Sequence, residues 1–224
     1  MKNGIYKIWL FLIVLMAGGQ VFAQVETQIK KTDEKADNAE TLFEKVFEGL
    51  KEEPKWLFEG FVCPFDVFPV AETKLNYSKS RCAENAGACL NECRNKDGNS
   101  CYALALVIQD KKGIDQQYSE ALFLRACKLG IASGCTNRAA KIFDSEDEKS
   151  IACAAKTFEK TCELNDTWGC TMFGFALWQG LGVAKDTERA LTVLTKSCKL
   201  NEQHEACESA KQVIEKIKES KTKH

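Results

Sequence analysis

Four stretches decide the fold: Cys93–Cys101 (CRNKDGNSC), Cys127–Cys135 (CKLGIASGC), Cys162–Cys170 (CELNDTWGC) and Cys198–Cys207 (CKLNEQHEAC). Three of them enclose seven residues between their cysteines, and the fourth encloses eight. Their first cysteines advance by 34, 35 and 36 residues, and their second cysteines by 34, 35 and 37. A fixed period in this range is the signature of stacked supersecondary units.

The sequence flanking each pair reads as helix. After each second cysteine comes a small and apolar run: Tyr102–Ile108, Thr136–Ile142 and Thr171–Leu177. The fourth residue after the cysteine is small (Ala105, Ala139, Gly174) and the seventh is apolar (Ile108, Ile142, Leu177). Those positions share one helix face, and a small residue there lets a neighbouring helix approach. A loop and a second helix follow, ending at the next first cysteine: Ser119–Cys127, Ala154–Cys162 and Thr187–Cys198. Each unit is thus a helix–turn–helix pair, which buries its apolar face only by stacking on the next pair. The expected class is all-α, an α/α solenoid.

This geometry explains the cysteine spacing. In one continuous helix, residues eight apart would stand about 12 Å apart, too far for a bridge. Across a turn between two helices they meet at about 5.5 Å. Gly130 near a helix end and Ser133 near a start supply such a turn. The expected bridges are Cys93–Cys101, Cys127–Cys135, Cys162–Cys170 and Cys198–Cys207, each closing about nine residues and contributing roughly 2.5 kcal/mol by chain entropy.

The 224 residues carry 12 cysteines, an even number, with 31 Lys and Arg against 32 Asp and Glu. The balanced charge argues against a nucleic-acid partner, which needs a basic face. The start, MKNGIYKIWLFLIVLMAGGQVFAQ, has Lys2 and Lys7, an apolar core Ile8–Ala17, and Val21-Phe22-Ala23 before a cleavage point after Ala23. It reads as a secretory signal peptide. Its core is short of the about 20 apolar residues of a membrane anchor, so no membrane association is expected after cleavage. Removing 1–23 leaves 29 basic residues against 32 acidic ones and all 12 cysteines. A secreted or periplasmic location, where disulfides persist, is the expectation.

Cys63, Cys82, Cys89 and Cys153 fall outside the period and stay unassigned, because four cysteines allow three pairings. Gly87 is a candidate break between Cys82 and Cys89, and Cys153 is open as a bridge partner or a buried free thiol. The chain divides into the signal peptide (1–23), a charged N-terminal arm or helix (24–60), an irregular N-terminal cap (61–88), the repeat array (89–207), and a C-terminal capping helix and tail (208–224). In the arm, Leu42, Val46, Phe47 and Leu50 fall on one helical face. Trp56–Val70 (WLFEGFVCPFDVFPV) is the most apolar part of the mature chain, and Pro64 and Pro69 argue against helix there. It reads as a segment packed on the first repeat, with an extended partner-binding segment as the alternative. At the other end, Val213, Ile214 and Ile217 face inward and Ser220–His224 is a frayed tail.

The third full unit carries more than spacing. Gly180-Leu-Gly182-Val183-Ala-Lys185-Asp186, followed by Ala190-Leu191 and Cys198-Lys-Leu200, resembles the Sel1-like repeat. Gly113-Ile114 aligns with Gly182-Val183, and Ala121-Leu122 with Ala190-Leu191. The cysteine-bearing version resembles the Helicobacter cysteine-rich protein family over residues 89 to 214. The loop Asp144–Lys149 departs from the pattern, having neither glycine. The resemblance implies a right-handed solenoid, TPR-like in its helix pairs, whose concave surface binds a protein or peptide partner. Some relatives of this type are described as penicillin-binding or β-lactamase proteins, so a cell-wall or β-lactam-interacting hydrolase is the alternative reading.

The residues give that alternative no support. A serine β-lactamase needs Ser-x-x-Lys at a helix start with Ser-Asp-Asn and Lys-Thr-Gly. Only Ser220 and Lys223 match, in the tail. Two histidines, His204 and His224, are too few for a metallo-enzyme, and His204 reads as an exposed turn residue. C-x-x-C is absent, and Gly180-x-Gly182 is a repeat turn rather than a phosphate loop. No catalytic residue, metal or cofactor is expected. Trp168 and Trp178 are the candidate binding residues, with Trp168, beside Cys170, the more exposed.

Overall fold

Four helix starts in the array are written by aspartate caps. Asp97, Asp147, Asp166 and Asp186 each accept the backbone N–H three residues on, from Ser100, Ser150, Gly169 and Arg189. These bonds satisfy first-turn donors that have no intrahelical partner. In the computed structural model, which describes residues 44–59, 62–112 and 114–222, helix follows helix in chain order. They are α1 (44–51), α2 (Pro54–Glu59), α3 (Pro64–Val67), α4 (Lys79–Glu84), α5 (Ala86–Arg94), α6 (Gly98–Gln109), α7 (Gln117–Lys128), α8 (Ala132–Phe143), α9 (Glu148–Glu163), α10 (Thr167–Gln179), α11 (Thr187–Leu200) and α12 (Glu205–Thr222). No strand occurs among the described residues. The expected signal peptide, and Leu42 of the arm, lie outside them.

The pairs α6–α7, α8–α9 and α10–α11 pack each on the next, with α12 closing the far end. The chain is an α/α solenoid of helix pairs. Ala105 and Ala139 are fully buried between helices. So is Gly174, where a Cβ would stand 2.6 Å from Leu194 Cγ. The core of the later repeats runs through Phe143, Phe158, Phe173, Leu177, Leu194 and Ile217.

The turns that carry the cysteines share one conformation. Lys96, Gly130 and Asn165, each three residues after a first cysteine, adopt φ of 70°, 89° and 63°. The next amide then closes the helix end: Asp97 N to Glu92 O at 3.0 Å, Ile131 N to Ala126 O at 3.0 Å and Asp166 N to Thr161 O at 2.9 Å. This is a Schellman-type stop, in which a left-handed residue reverses the chain. The fourth turn holds one more residue, and its equivalent Asn201 is extended at φ −160°.

The four turns bring Cys93 to Cys101, Cys127 to Cys135, Cys162 to Cys170 and Cys198 to Cys207, with Cα separations of 4.7, 4.6, 4.4 and 4.5 Å. That is nearer than the sequence-based figure, and in two of the four turns a glycine before the second cysteine admits the close approach. A Cβ on Gly134 would stand 2.9 Å from Phe123 O, and one on Gly169 would stand 2.3 Å from Thr161 Oγ1.

Outside the lattice, Cys82 bonds Cys89 and Cys63 bonds Cys153, so no cysteine is a free thiol. The break between Cys82 and Cys89 falls at Asn85 rather than Gly87. Asn85 has φ −142°, ends α4, and caps α5 by accepting from Ala88 N. The span 61–88 is also less irregular than expected, holding α3, α4 and the start of α5. Prolines open α2 and α3, where a missing N–H costs nothing because the first turn has no acceptor for it. Pro64 is buried, Val46 and Leu50 are buried, and Trp56 lies under the Arg125 guanidinium at 4.1 Å. At the C-terminal end the helix α12 runs through Ser220 to Thr222, past the expected start of the frayed tail. Ile217 on it is fully buried.

Candidate functional site

From Phe68 to Ser78 the chain leaves helical structure and crosses the inter-repeat turns as an extended strap. Backbone groups of the array hold it. Thr73 N donates to Gly130 O at 2.9 Å, and Thr73 Oγ1 donates to Leu129 O at 2.8 Å. Asn99 reads both polarities of the strap. Its Oδ1 accepts from Asn76 N at 2.7 Å and its Nδ2 donates to Lys74 O at 3.3 Å. Tyr77 packs edge-on against Tyr102, with ring centroids 4.9 Å apart.

Between the strap and the turns lies a pocket of about 240 Å³. Glu72, Thr73, Leu75 and Tyr77 form the strap wall; Tyr102, Ser133, Asp166, Trp168 and His204 form the array wall. Each array residue sits at or near the first turn of a helix that follows a bridged turn, which is why residues 30 to 100 positions apart converge.

The array wall is tied down internally. Asp166 caps α10 at Gly169 N at 2.7 Å, and accepts from Ser133 Oγ at 2.5 Å and Thr136 Oγ1 at 2.8 Å. The carboxylate therefore locks the α8 start to the α10 start. Tyr102 OH accepts from Asn137 Nδ2 at 3.2 Å. Burial first, then the nearby Tyr77 and Asp166, push the Tyr102 phenol above its ordinary range, so it stays neutral. Trp168 and His204 meet edge to face at 6.3 Å, and His204 Nδ1 accepts from Ala206 N at 3.1 Å. No described buried side-chain N or O atom lacks a hydrogen-bond partner. The pocket is a prebuilt surface with aromatic walls, two carboxylates and one imidazole.

The two candidate tryptophans are not brought together. Trp168 lines the pocket and is half-buried. Trp178 stands ten residues on, about 15 Å along α10 by helical rise, packed against Phe175 at 6.1 Å and against the core. His204, expected to be solvent-exposed, is half-buried against Trp168 because the longer fourth turn folds back over the start of α10. Tyr102, Tyr77 and the strap were missed by sequence reasoning. One signal was available for Tyr102. It follows the second cysteine, where the next two units place Thr136 and Thr171, both of which make inter-helix hydrogen bonds.

The described residues contain no group of three or more His, Cys, Asp or Glu side chains placed to hold a metal ion. No helix among them is long and apolar enough to cross a membrane.

Fold and site together define a disulfide-stapled helical-repeat protein. Among solved structures the chain is similar to the Helicobacter pylori cysteine rich protein B, at 25% identity and a TM-score of 0.43, over 58% of this chain and 94% of that one. No family model matches the chain, and no curated protein matches it.

Proposed function

We propose that this chain is an exported Sel1-like repeat scaffold that binds a protein or peptide partner through the groove at its inter-repeat turns. The observation that carries the reading is the prebuilt pocket. Trp168 and His204 stay partly accessible around about 240 Å³, with the buried Tyr102 ring as its floor, while the polar groups behind them are satisfied by one another. Aromatic side chains held in place offer large contact area with little entropy left to lose on binding. The bridged turns supply the rigidity, since Ser133, Asp166, Trp168 and His204 lie inside the bridged segments and Tyr102 directly follows Cys101. Export is supported by the leader sequence and by the pairing of all 12 cysteines. The concave face implied by the Sel1-like resemblance is the wider surface to which this groove would belong.

Two measurements test it. Expression of the full precursor in an exporting host, followed by intact-mass analysis, is expected to give a mature chain beginning at Gln24 in the envelope or medium. Panning a displayed peptide library on the oxidised chain is expected to enrich binders whose affinity falls at least about tenfold on Trp168→Ala, as for an aromatic anchor in an interface. Robust nitrocefin turnover by the purified chain would overturn the scaffold reading in favour of a hydrolase.

A further inference from the structure

The six bridges are of two kinds. Five join residues seven to nine apart, across a helix break or turn, and Cys63–Cys153 joins residues 90 apart. The local ones are screened. Cys82, Cys89, Cys93, Cys101, Cys127, Cys135, Cys170 and Cys207 are all fully buried, and Cys162 is 5% exposed. Cys198 is partly exposed, but its partner Cys207 is buried. Only in Cys63–Cys153 are both partners partly exposed.

The position of that bridge gives its exposure a consequence. Cys63 opens α3, which lies against α7, α8 and α9, and Cys153 sits within α9. Beyond Pro64 the segment is lightly held. Phe65 is 43% exposed and Val70 is fully exposed. The same segment continues into the strap that walls the pocket. On its far side the strap is anchored independently, by α4 and the buried Cys82–Cys89 bridge. The near end is held by the packing of α3 and by Cys63–Cys153, the covalent tie on that side.

We infer that Cys63–Cys153 is a redox latch: a thiol reductant opens it ahead of the other five bridges, and its opening releases the strap wall of the groove. The chemistry is thiol–disulfide exchange. A thiolate of a small dithiol, or of a dithiol oxidoreductase, attacks one sulfur, and the S–S bond breaks to leave a mixed disulfide and one cysteine thiolate. The reductant's second thiol displaces the other cysteine. The products are the oxidised reductant and two cysteine thiols, after transfer of two electrons and two protons. Access controls the rate of such exchange in a folded chain, and screened sulfurs wait for local opening. Lys149 and Lys156, four before and three after Cys153, share its helix face and place positive charge where a thiolate approaches. The consequence for binding rests on the groove reading above; the latch itself does not, and its test uses no ligand.

The test is differential alkylation. Oxidised chain is treated with limiting dithiothreitol, quenched with light N-ethylmaleimide, then fully reduced, labelled with heavy reagent and mapped by mass spectrometry. Cys63 and Cys153 are expected to take the light label at least about tenfold faster than any lattice pair, given their access. In the same samples, hydrogen exchange at the Thr73 amide, which is bonded to Gly130 O, is expected to accelerate at least about tenfold while α10 amides hold their protection. Equal labelling of Cys63–Cys153 and the lattice pairs overturns the latch. Selective reduction with unchanged Thr73 exchange also overturns it, by showing that the wall stays closed. The Cys63→Ser/Cys153→Ser chain gives an independent arm, with fast Thr73 exchange expected in the absence of any reductant.

Discussion

The repeat array and the segment that crosses it are held by different means. In the array the devices that recur from unit to unit are local: an Asp cap, a left-handed turn residue, a small residue under the next helix and a bridge over eight or nine residues. The segment from Cys63 to Tyr77 has almost none of these. It is held by one bridge of 90-residue separation, by backbone bonds to Gly130 and Leu129, and by the Asn99 side chain. Local devices repeat, so the array can be read as a period. Contacts of the second kind depend on the finished fold, and each occurs once. The pocket lies where the two meet, with one wall of each kind.

The largest expected effect separates the two kinds of bridge. By chain-entropy arithmetic a loop of about 90 residues contributes roughly 4.6 kcal/mol, against about 2.6 kcal/mol for a nine-residue loop. Cys63→Ala/Cys153→Ala is therefore expected to lower the urea-unfolding free energy more than Cys127→Ala/Cys135→Ala, by about 2 kcal/mol. The reverse order would show that the crossing segment contributes little to global stability and that the comparison is wrong on energy.

Gly174→Val comes next. A Cβ there meets Leu194 Cγ at 2.6 Å and Leu194 Cδ2 at 2.8 Å, so α10 and α11 must separate. Overpacking of this sort costs about 1–3 kcal/mol, and the loss is expected in the thermal midpoint with the Thr73 amide unaffected. An effect confined to the strap would contradict the local character of the array.

How much of this was legible follows the same division. The helix pairs, the small residues at Ala105, Ala139 and Gly174, and the turn positions could be read from the period, because each is a short-range requirement repeated three or four times. The Asn85 break was also legible in principle, since an Asn directly before a small-residue run is a capping signal; Gly87 drew attention instead because glycine breaks helices more conspicuously. The partner of Cys153 was not legible. Cys63 lies 90 residues away in sequence, and nothing in either neighbourhood encodes the other. The pocket was half legible. Trp168 stood out beside Cys170, but Tyr102, Tyr77 and His204 reach it only through stacking of the repeats and the path of the strap. Trp178 shared a residue type with Trp168 and nothing else.

Asp166→Ala probes where the local devices reach across units. Its carboxylate caps α10 and accepts from Ser133 and Thr136 of α8. Loss of a cap costs about 1 kcal/mol, and the Ser133 hydroxyl left short of an acceptor brings the expected loss to about 2 kcal/mol, while Thr136 keeps Thr161 Oγ1 as an acceptor. Amide exchange should quicken at the starts of both α8 and α10. Quickening in α10 alone would mean that the inter-unit bonds carry no weight.

The smallest expected effect lies at the junction of α4, α5 and α6, and it depends on pH. Arg81 makes paired bonds to Glu92 at 2.8 and 2.7 Å, and Ser100 Oγ donates to Glu92 at 2.5 Å. The Arg81 hydrogen bonds first, then the Ser100 hydroxyl, hold the Glu92 carboxyl down to about 2. A depressed carboxylate stabilises the fold above its unfolded pKa and loses that stabilisation as pH falls toward the folded value. The window is therefore from about pH 4.5 down to about pH 2. Both side chains are more than a third exposed, so water screens the pair and the contribution is a few tenths of a kcal/mol. Glu92→Gln is expected to flatten the stability curve across that window and to leave stability near pH 7 lower by the same small amount. A variant whose acid limb matches that of the parent chain would place the acid sensitivity elsewhere.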